Sequence, residues 1–322
     1  MKKDLSAKLA MLLAVLIFGT GSIVSRFCDY SAAAICFARG LLGSLVLLLA
    51  MGVTGRRFTR GLPARTWLRL ALSGAAIGVN WILLFEAYRH TTVAVSTLCY
   101  YMAPMIVLLL APLVLKERLT LRKLLCVLCA CAGMALVSGV IPGGLRGLGG
   151  EHALGVILAL GAALFYAAVI LLNKTAPDGP TGLERTVVQL AAAAAIILPY
   201  LLLTEDFAPL RGGASVWVLL WLGVVNTGVA YLLYFSSMGR LPASTVAFMS
   251  YIDPLTAVLL SFFLLAEPLS LWGWVGAALI LGAALVAELP EKRTEPATLG
   301  SAALAPSTEP TDAPDSADSD IN

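Results

Sequence analysis

Two ionisable side chains sit inside stretches that are otherwise apolar. Arg39 lies about seven residues into the run 32–53, and Asp253 lies midway along the run 243–265. A charge in hydrocarbon costs several kcal/mol or more, so such groups face a cavity, a partner or a ligand. At 1.5 Å per helical residue Arg39 is roughly 10 Å deep, and Asp253 falls at a broadly similar depth. Two readings follow. Either both face a central cavity, pairing with each other or with a zwitterionic solute, or they form a structural ion pair that locks two helices together.

Several neutral groups could complete such a cavity. Asn80 and Asn226 are single amides in apolar runs; on the run of Asn80, Trp81, Phe85 and Tyr88 share one helical face, and Tyr234 lies near the face of Asn226. Aromatic rings with a few amides suit a flat or amphipathic organic solute; helix packing explains any one of them equally well. Glu86 and His90, spaced i, i+4, can pair on one face. That pair reads as a proton-coupling carboxylate with a titrating neighbour or as an ordinary interfacial contact. Cys126, Cys129 and Cys131 have no histidine or carboxylate nearby and read as packing residues in an apolar helix, not as metal ligands. A phosphate-binding GxxxxGK[ST], an HExxH and a GxSxG are all missing from the sequence, which argues against ATP-driven or hydrolytic chemistry in this chain.

The elements that must position these residues are membrane spans. Of the 322 residues 59% are apolar and 13% charged, and the mean hydropathy is +0.90. Soluble chains carry about 25% charged residues. Apolar runs long enough to cross about 30 Å of hydrocarbon are expected near 8–26, 32–53, 67–89, 93–115, 121–141, 153–173, 183–203, 214–237, 243–265 and 271–288, ten in all. The first, behind Met1 and two lysines, reads as a retained span and not a cleaved leader.

The chain repeats itself. Tyr101, Pro104, Glu117 and Leu119 recur 150 positions later as Tyr251, Pro254, Glu267 and Leu269, within eight identities over 101–121. Each copy reads as an apolar helix broken by a proline and closed by a glutamate expected to cap the turn into the next helix. Mid-span prolines in matched segments of two halves point to a central binding site. Five spans per half would give the halves opposite orientations. With the N-terminus inside, the inner segments hold Lys2, Lys3, Lys8, Arg56, Arg57, Arg60, Arg65, Arg69, Lys116, Arg118, Arg122, Lys123, Lys174, Arg185, Arg240, Lys292 and Arg293, while the outer loops hold only Arg26, Arg89, Arg146 and Arg211. That asymmetry puts both termini in the cytoplasm.

The duplicated blocks YYMAPMIVLLLAPLVLKERLTL and MSYIDPLTAVLLSFFLLAEPLSL resemble the EamA-type family of the drug/metabolite transporter superfamily, and the likeness runs over about residues 8–288. The opening FGTGSIVSRF, with Phe18 and Gly19, is similar to the family's first-span pattern; Arg39, and its repeat mate Gln189, also suit it. The resemblance implies that spans 1–4 and 6–9 enclose a central cavity, with spans 5 and 10 at the periphery. It also implies carriage of amino acids, nucleobases, drugs or other metabolites.

The expectation is therefore an all-α integral membrane protein of ten transmembrane helices in two inverted five-helix repeats, residues 1–141 and 153–288. A glycine-rich linker (142–152) joins them, and an acidic, disordered cytoplasmic tail (289–322) follows. It is expected to be a secondary transporter, not an enzyme, exporting an amino acid or related solute across the inner membrane by alternating access. Carriage of a lipid-linked or hydrophobic compound is the alternative, with a non-transporting membrane sensor behind it. Expected substrate-binding residues are Arg39, Asn80, Trp81, Tyr88, Tyr101, Asn226, Tyr251 and Asp253, with Glu86 and His90 for protons and Pro104 and Pro254 as kinks. No cofactor, metal or nucleic acid is expected. The partners are a small solute, the bilayer and protons if coupling exists; a homo-oligomer stays open.

Overall fold

The computed structural model describes residues 2–116, 119–138, 149–174, 180–204, 213–238 and 240–289. Among these the structure is entirely helical: α1 (Lys2–Ser25), α2 (Ala32–Val53), α3 (Ala64–His90), α4 (Val93–Tyr100), α5 (Ala103–Val114), α6 (Leu121–Val137), α7 (Gly150–Lys174), α8 (Gly182–Thr204), α9 (Ala214–Leu220), a π-helix (Trp221–Val229), α10 (Ala230–Met238), α11 (Ala243–Ser250), α12 (Ile252–Leu264) and α13 (Leu271–Glu288). Glu117, the 142–152 linker except its last four residues, and the tail from 290 lie outside the described residues.

Among the described residues seven stretches are long and apolar enough to cross a membrane: Leu5–Ser25, Ala32–Val53, Ala64–His90, Val93–Val114, Gly150–Lys174, Gly182–Leu203 and Ser215–Met238. Phe248–Leu264 and Leu271–Ala287 are apolar but shorter, and α6 has 17 residues. Every long helix exposes leucines along one side, Leu49, Leu113 and Leu203 among them. A greasy exterior around a packed interior is what lipid as solvent allows.

The proline-bearing segments are broken where their sequences imply. Pro104 stands at the start of α5, and Pro254 in the first turn of α12. A proline offers no N–H to the carbonyl four residues back, so the carbonyls of Tyr100 and Ser250 lose their helical donors. Around the first break the chain tightens: Tyr101 N–H donates to Thr97 O and Met102 N–H to Cys99 O. Polar side chains start the neighbouring helices. Ser31, Thr92, Thr120 and Ser270 each accept a backbone N–H two or three residues inside α2, α4, α6 and α13.

Packing interleaves the two halves of the sequence. α3 lies against α7 and α8, α2 against α8 and the π-helix, α1 against α10 and α12, and α6 pairs with α13. The α3–α8 contact depends on Gly74 and Gly78. A Cβ on Gly74 would lie 2.4 Å from Gln189 O and 2.7 Å from Ala192 Cβ; one on Gly78 would lie 2.8 Å from Ile196 Cγ2. Small residues four apart let the two backbones touch, where lipid offers no hydrophobic drive to bring them together. Gly74→Val should therefore wedge α3 off α8 and destabilise the fold by about 1–3 kcal/mol. A lowered thermal unfolding midpoint in detergent checks this, with Gly52→Ala, whose Cβ would meet nothing, as the unaffected control.

Candidate functional site

A cavity of about 730 Å³ opens inside this bundle, lined by residues of α1–α5, α7, α8 and α10–α12 and by none of α6 or α13. Both proline breaks face it, through Tyr100, Tyr101 and Pro104 on one side and Ser250, Tyr251 and Asp253 on the other.

Arg39 enters from α2. Its guanidinium lies 4.6 Å from the Trp81 ring centroid and 5.0 Å from that of Phe85. Such a contact replaces part of the hydration a cation gives up, at about 2 kcal/mol or more when dry. Its Nε donates to Thr227 Oγ1 at 3.1 Å, while the Thr227 hydroxyl itself donates to Leu222 O, five residues back. That i−5 spacing belongs to the π-helix. The wider turn, often found at functional sites, places Thr227 under Arg39. Arg39's terminal nitrogens have no hydrogen-bond partner among the described residues, and they form a planar fork suited to a carboxylate.

Asp253 reaches the same cavity from α12. Its Oδ2 accepts from the Tyr101 hydroxyl at 3.2 Å. Arg39 and Asp253 make no ion pair with each other; each is held by a neutral hydroxyl instead. Close packing sets the carboxylate's place. Gly19 of α1 sits against the Asp253 carbonyl, where a Cβ would be 2.7 Å away, and against Thr256.

Of the other residues singled out from sequence, Asn80, Trp81, Tyr88, Tyr101, Tyr251 and Pro104 also line the cavity. Asn80 Nδ2 donates to Ala162 O and so ties α3 to α7. Asn226 and Pro254 do not line it. Asn226 is fully buried, its amide donating to Ile17 O and Phe18 O of α1, so it joins two helices. Glu86 and His90 lie at the end of α3, away from the lining. His90 Nε2 is 3.4 Å from Glu86 Oε1, and its Nδ1 is 2.5 Å from Glu151 Oε2.

Glu267 differs from its expected role. The helix that follows it is capped by Ser270, leaving Glu267 free to reach across the molecule. Oε2 accepts from Val93 N–H at 2.8 Å, at the start of α4, and from Ser261 Oγ. Oε1 is 2.8 Å from Arg26 Nη2, and Arg26 Nη1 donates to Tyr88 O. One carboxylate thus ties the end of α12 to the ends of α1, α3 and α4, and Ser22, Tyr88 and Thr97 of these three helices line the cavity. Toward the opposite face the lining continues to Asn173, Thr186, Met238 and Leu241.

The sequence of the whole bundle can now be set beside known proteins. The model of the EamA-like transporter family matches residues 5–139 and again 153–288. The chain belongs to that family. It is 28% identical over 259 residues to the uncharacterized transporter YxxF of Bacillus subtilis, covering 80% of this chain and 82% of that one. It is 27% identical to protein PecM of Dickeya dadantii (77% and 82% covered). To protein RarD of Salmonella typhi it is 30% identical (67% and 71% covered). A solved crystal structure with 22% identity superposes with a TM-score of 0.61 over 88% of this chain and 96% of the other, a likeness of fold. This is a multi-pass membrane protein of a transporter family.

The Glu267 tie sets a graded expectation. Glu267→Gln keeps one accepting oxygen but turns the other into an N–H₂ that must face either Arg26 Nη2 or the Val93 N–H, and should cost about 1.5–3 kcal/mol. Arg26→Gln removes a partner that is 35% exposed and should cost under about 1 kcal/mol. Thermal unfolding midpoints of the two purified variants, falling in that order, check it.

Proposed function

We propose that this family member is a secondary transporter of a small organic solute, with ten spans arranged as two inverted five-helix halves, residues 1–141 and 153–288, and both termini cytoplasmic in the inner membrane. The lysine and arginine asymmetry supports the orientation, and two matches of one family model to the two halves support the repeat. Three further apolar segments, α6, the broken pair α11–α12 and α13, complete the count in this reading.

One observation carries the choice of solute. Arg39 and Asp253 face a single cavity with opposite charges that do not neutralise each other. A zwitterion answers both: its carboxylate on the Arg39 fork, its ammonium at the Asp253 carboxylate, its side chain among the aromatic walls. The solute we favour is an amino acid or a close relative, moved outward by alternating access about the proline breaks. The aromatic lining, with Tyr100, Tyr166, Tyr231 and Phe235, also favours a second reading, carriage of a more hydrophobic compound. Relatives that are named transporters favour either over a non-transporting sensor.

The test is ligand-induced thermal stabilisation of the purified protein by amino acids, with Asp253→Asn and Arg39→Gln alongside. A ligand at about 100 Kd stabilises the native state by about 2.7 kcal/mol. Wild type should gain that much with a zwitterion, and both variants, melting near wild type without ligand, should lose it. Equal stabilisation of wild type and variants would make the two charges structural.

A further inference from the structure

The end of the cavity remote from Arg26 and Glu267 has its own polar cluster, and none of its members belongs to the charged site. Gln189 Nε2 donates to Ser73 Oγ at 2.7 Å and to Asn173 Oδ1 at 2.8 Å. The Ser73 hydroxyl donates to Asn173 Oδ1 at 3.4 Å, closing a ring of three side chains from α8, α3 and α7. Gln189 is 5% exposed and Ser73 1%. Gln189 and Asn173 both line the cavity.

Counting donors and acceptors shows what the ring leaves over. Both hydrogens of Gln189 Nε2 are used, and Asn173 Oδ1 accepts twice. Gln189 Oε1 and Asn173 Nδ2 have no hydrogen-bond partner among the described residues, and both side chains line the cavity. Turning both amides over exchanges the two roles but still leaves one donor beside one acceptor. On the cavity wall such a pair is met by water when no solute is bound, and a solute that displaces this water must replace its hydrogen bonds. A primary carboxamide satisfies both at once, since its N–H and C=O lie side by side, and an extended peptide does so through the N–H and C=O of a single residue.

We propose that Gln189, Asn173 and Ser73 form a second, uncharged subsite that binds a carboxamide or peptide group of the solute. The proposal rests on the reading of this cavity as the solute's path, and it makes the solute longer than a single amino acid. Ser73 and Trp81 are eight residues apart on α3, about 12 Å at 1.5 Å per residue. With its carboxylate on the Arg39 fork, a solute whose amide reaches Gln189 therefore spans about three residues at 3.3–3.6 Å each. The internal repeat gives the same division: Gln189 is the counterpart of Arg39 at the 150-residue offset. One half supplies a cation to the cavity and the other a neutral amide.

Triglycine and 8-aminooctanoate have the same number of chain atoms and the same charged ends, and only triglycine has peptide groups. Isothermal titration of both, and of uncharged benzamide, into the purified protein separates the two subsites. Wild type should bind triglycine about tenfold more tightly than 8-aminooctanoate, although burial of the alkyl chain works in the opposite direction. Gln189→Met and, independently, Asn173→Leu should bring that ratio to about one and abolish benzamide binding. Arg39→Gln should weaken both zwitterions alike and leave benzamide unchanged. Equal binding of the two zwitterions by wild type, with benzamide unbound, would overturn the amide subsite and leave the charged site standing. Benzamide binding that depends on Gln189, with neither zwitterion bound, would support the subsite while removing the charged-site reading. No binding of any of the three would overturn both.

Discussion

A guanidinium held inside a lipid-facing bundle is the constraint from which the rest of this structure follows. Arg39 cannot shed its charge, so the protein must replace the water it lost. Two aromatic faces from α3 and one hydroxyl from the π-helix do so, and each fixes the path of its own helix. Trp81 and Phe85 must present their rings to α2, which holds α3 in rotation. Thr227 must sit five residues beyond the carbonyl that takes its proton, which widens a turn of the helix. Neither contact neutralises the charge. What remains unsatisfied is the part that faces the cavity, and a cavity with an unsatisfied cation is one that selects its occupant.

The opposite charge arrives by a different device. Pro254 breaks the helix that carries Asp253, and Pro104 breaks the helix that carries Tyr101, so the carboxylate and the hydroxyl that holds it both stand at interruptions. Broken helices tolerate rearrangement at low cost because their hydrogen bonds are already shared out to neighbours. Beyond them, Glu267 ties together the ends of four helices at one face. The proline breaks and the tie are thus separate parts of the molecule, and the proposed alternating access would use the first for motion.

The groups readable in the sequence were those whose oddity is local. A charge in an apolar run, a proline in a span and a tyrosine recurring at a fixed offset need no knowledge of neighbours, and Arg39, Asp253, Tyr101 and both breaks stand out for that reason. Residues whose role depends on which helix faces them were not readable. Thr227 looks like any hydroxyl in an apolar helix until Arg39 is placed above it. Asn226 seemed equivalent to Asn80, yet close packing at Gly21, where a Cβ would be 2.7 Å from the Asn226 oxygen, turns it toward α1 and away from the cavity. Glu267 was expected to act on its own turn, but Ser270 occupies that role and frees the carboxylate for a contact 174 residues distant. The one further signal in the sequence was Gln189, marked by its offset from Arg39, and its partners on α3 and α7 emerge only from the packing.

Whether this cavity is a path or a dead end is decided most directly by access from its two sides. In a cysteine-free background, single cysteines at Ser22 and Thr97, both on the cavity wall, would be treated with a membrane-impermeant thiol reagent. Vesicles of each orientation expose one face at a time. The expected result is modification from either face, slower from the face that carries the Arg26 and Glu267 tie. Modification from one face alone, however long the exposure, would contradict alternating access and make the cavity the pocket of a receptor.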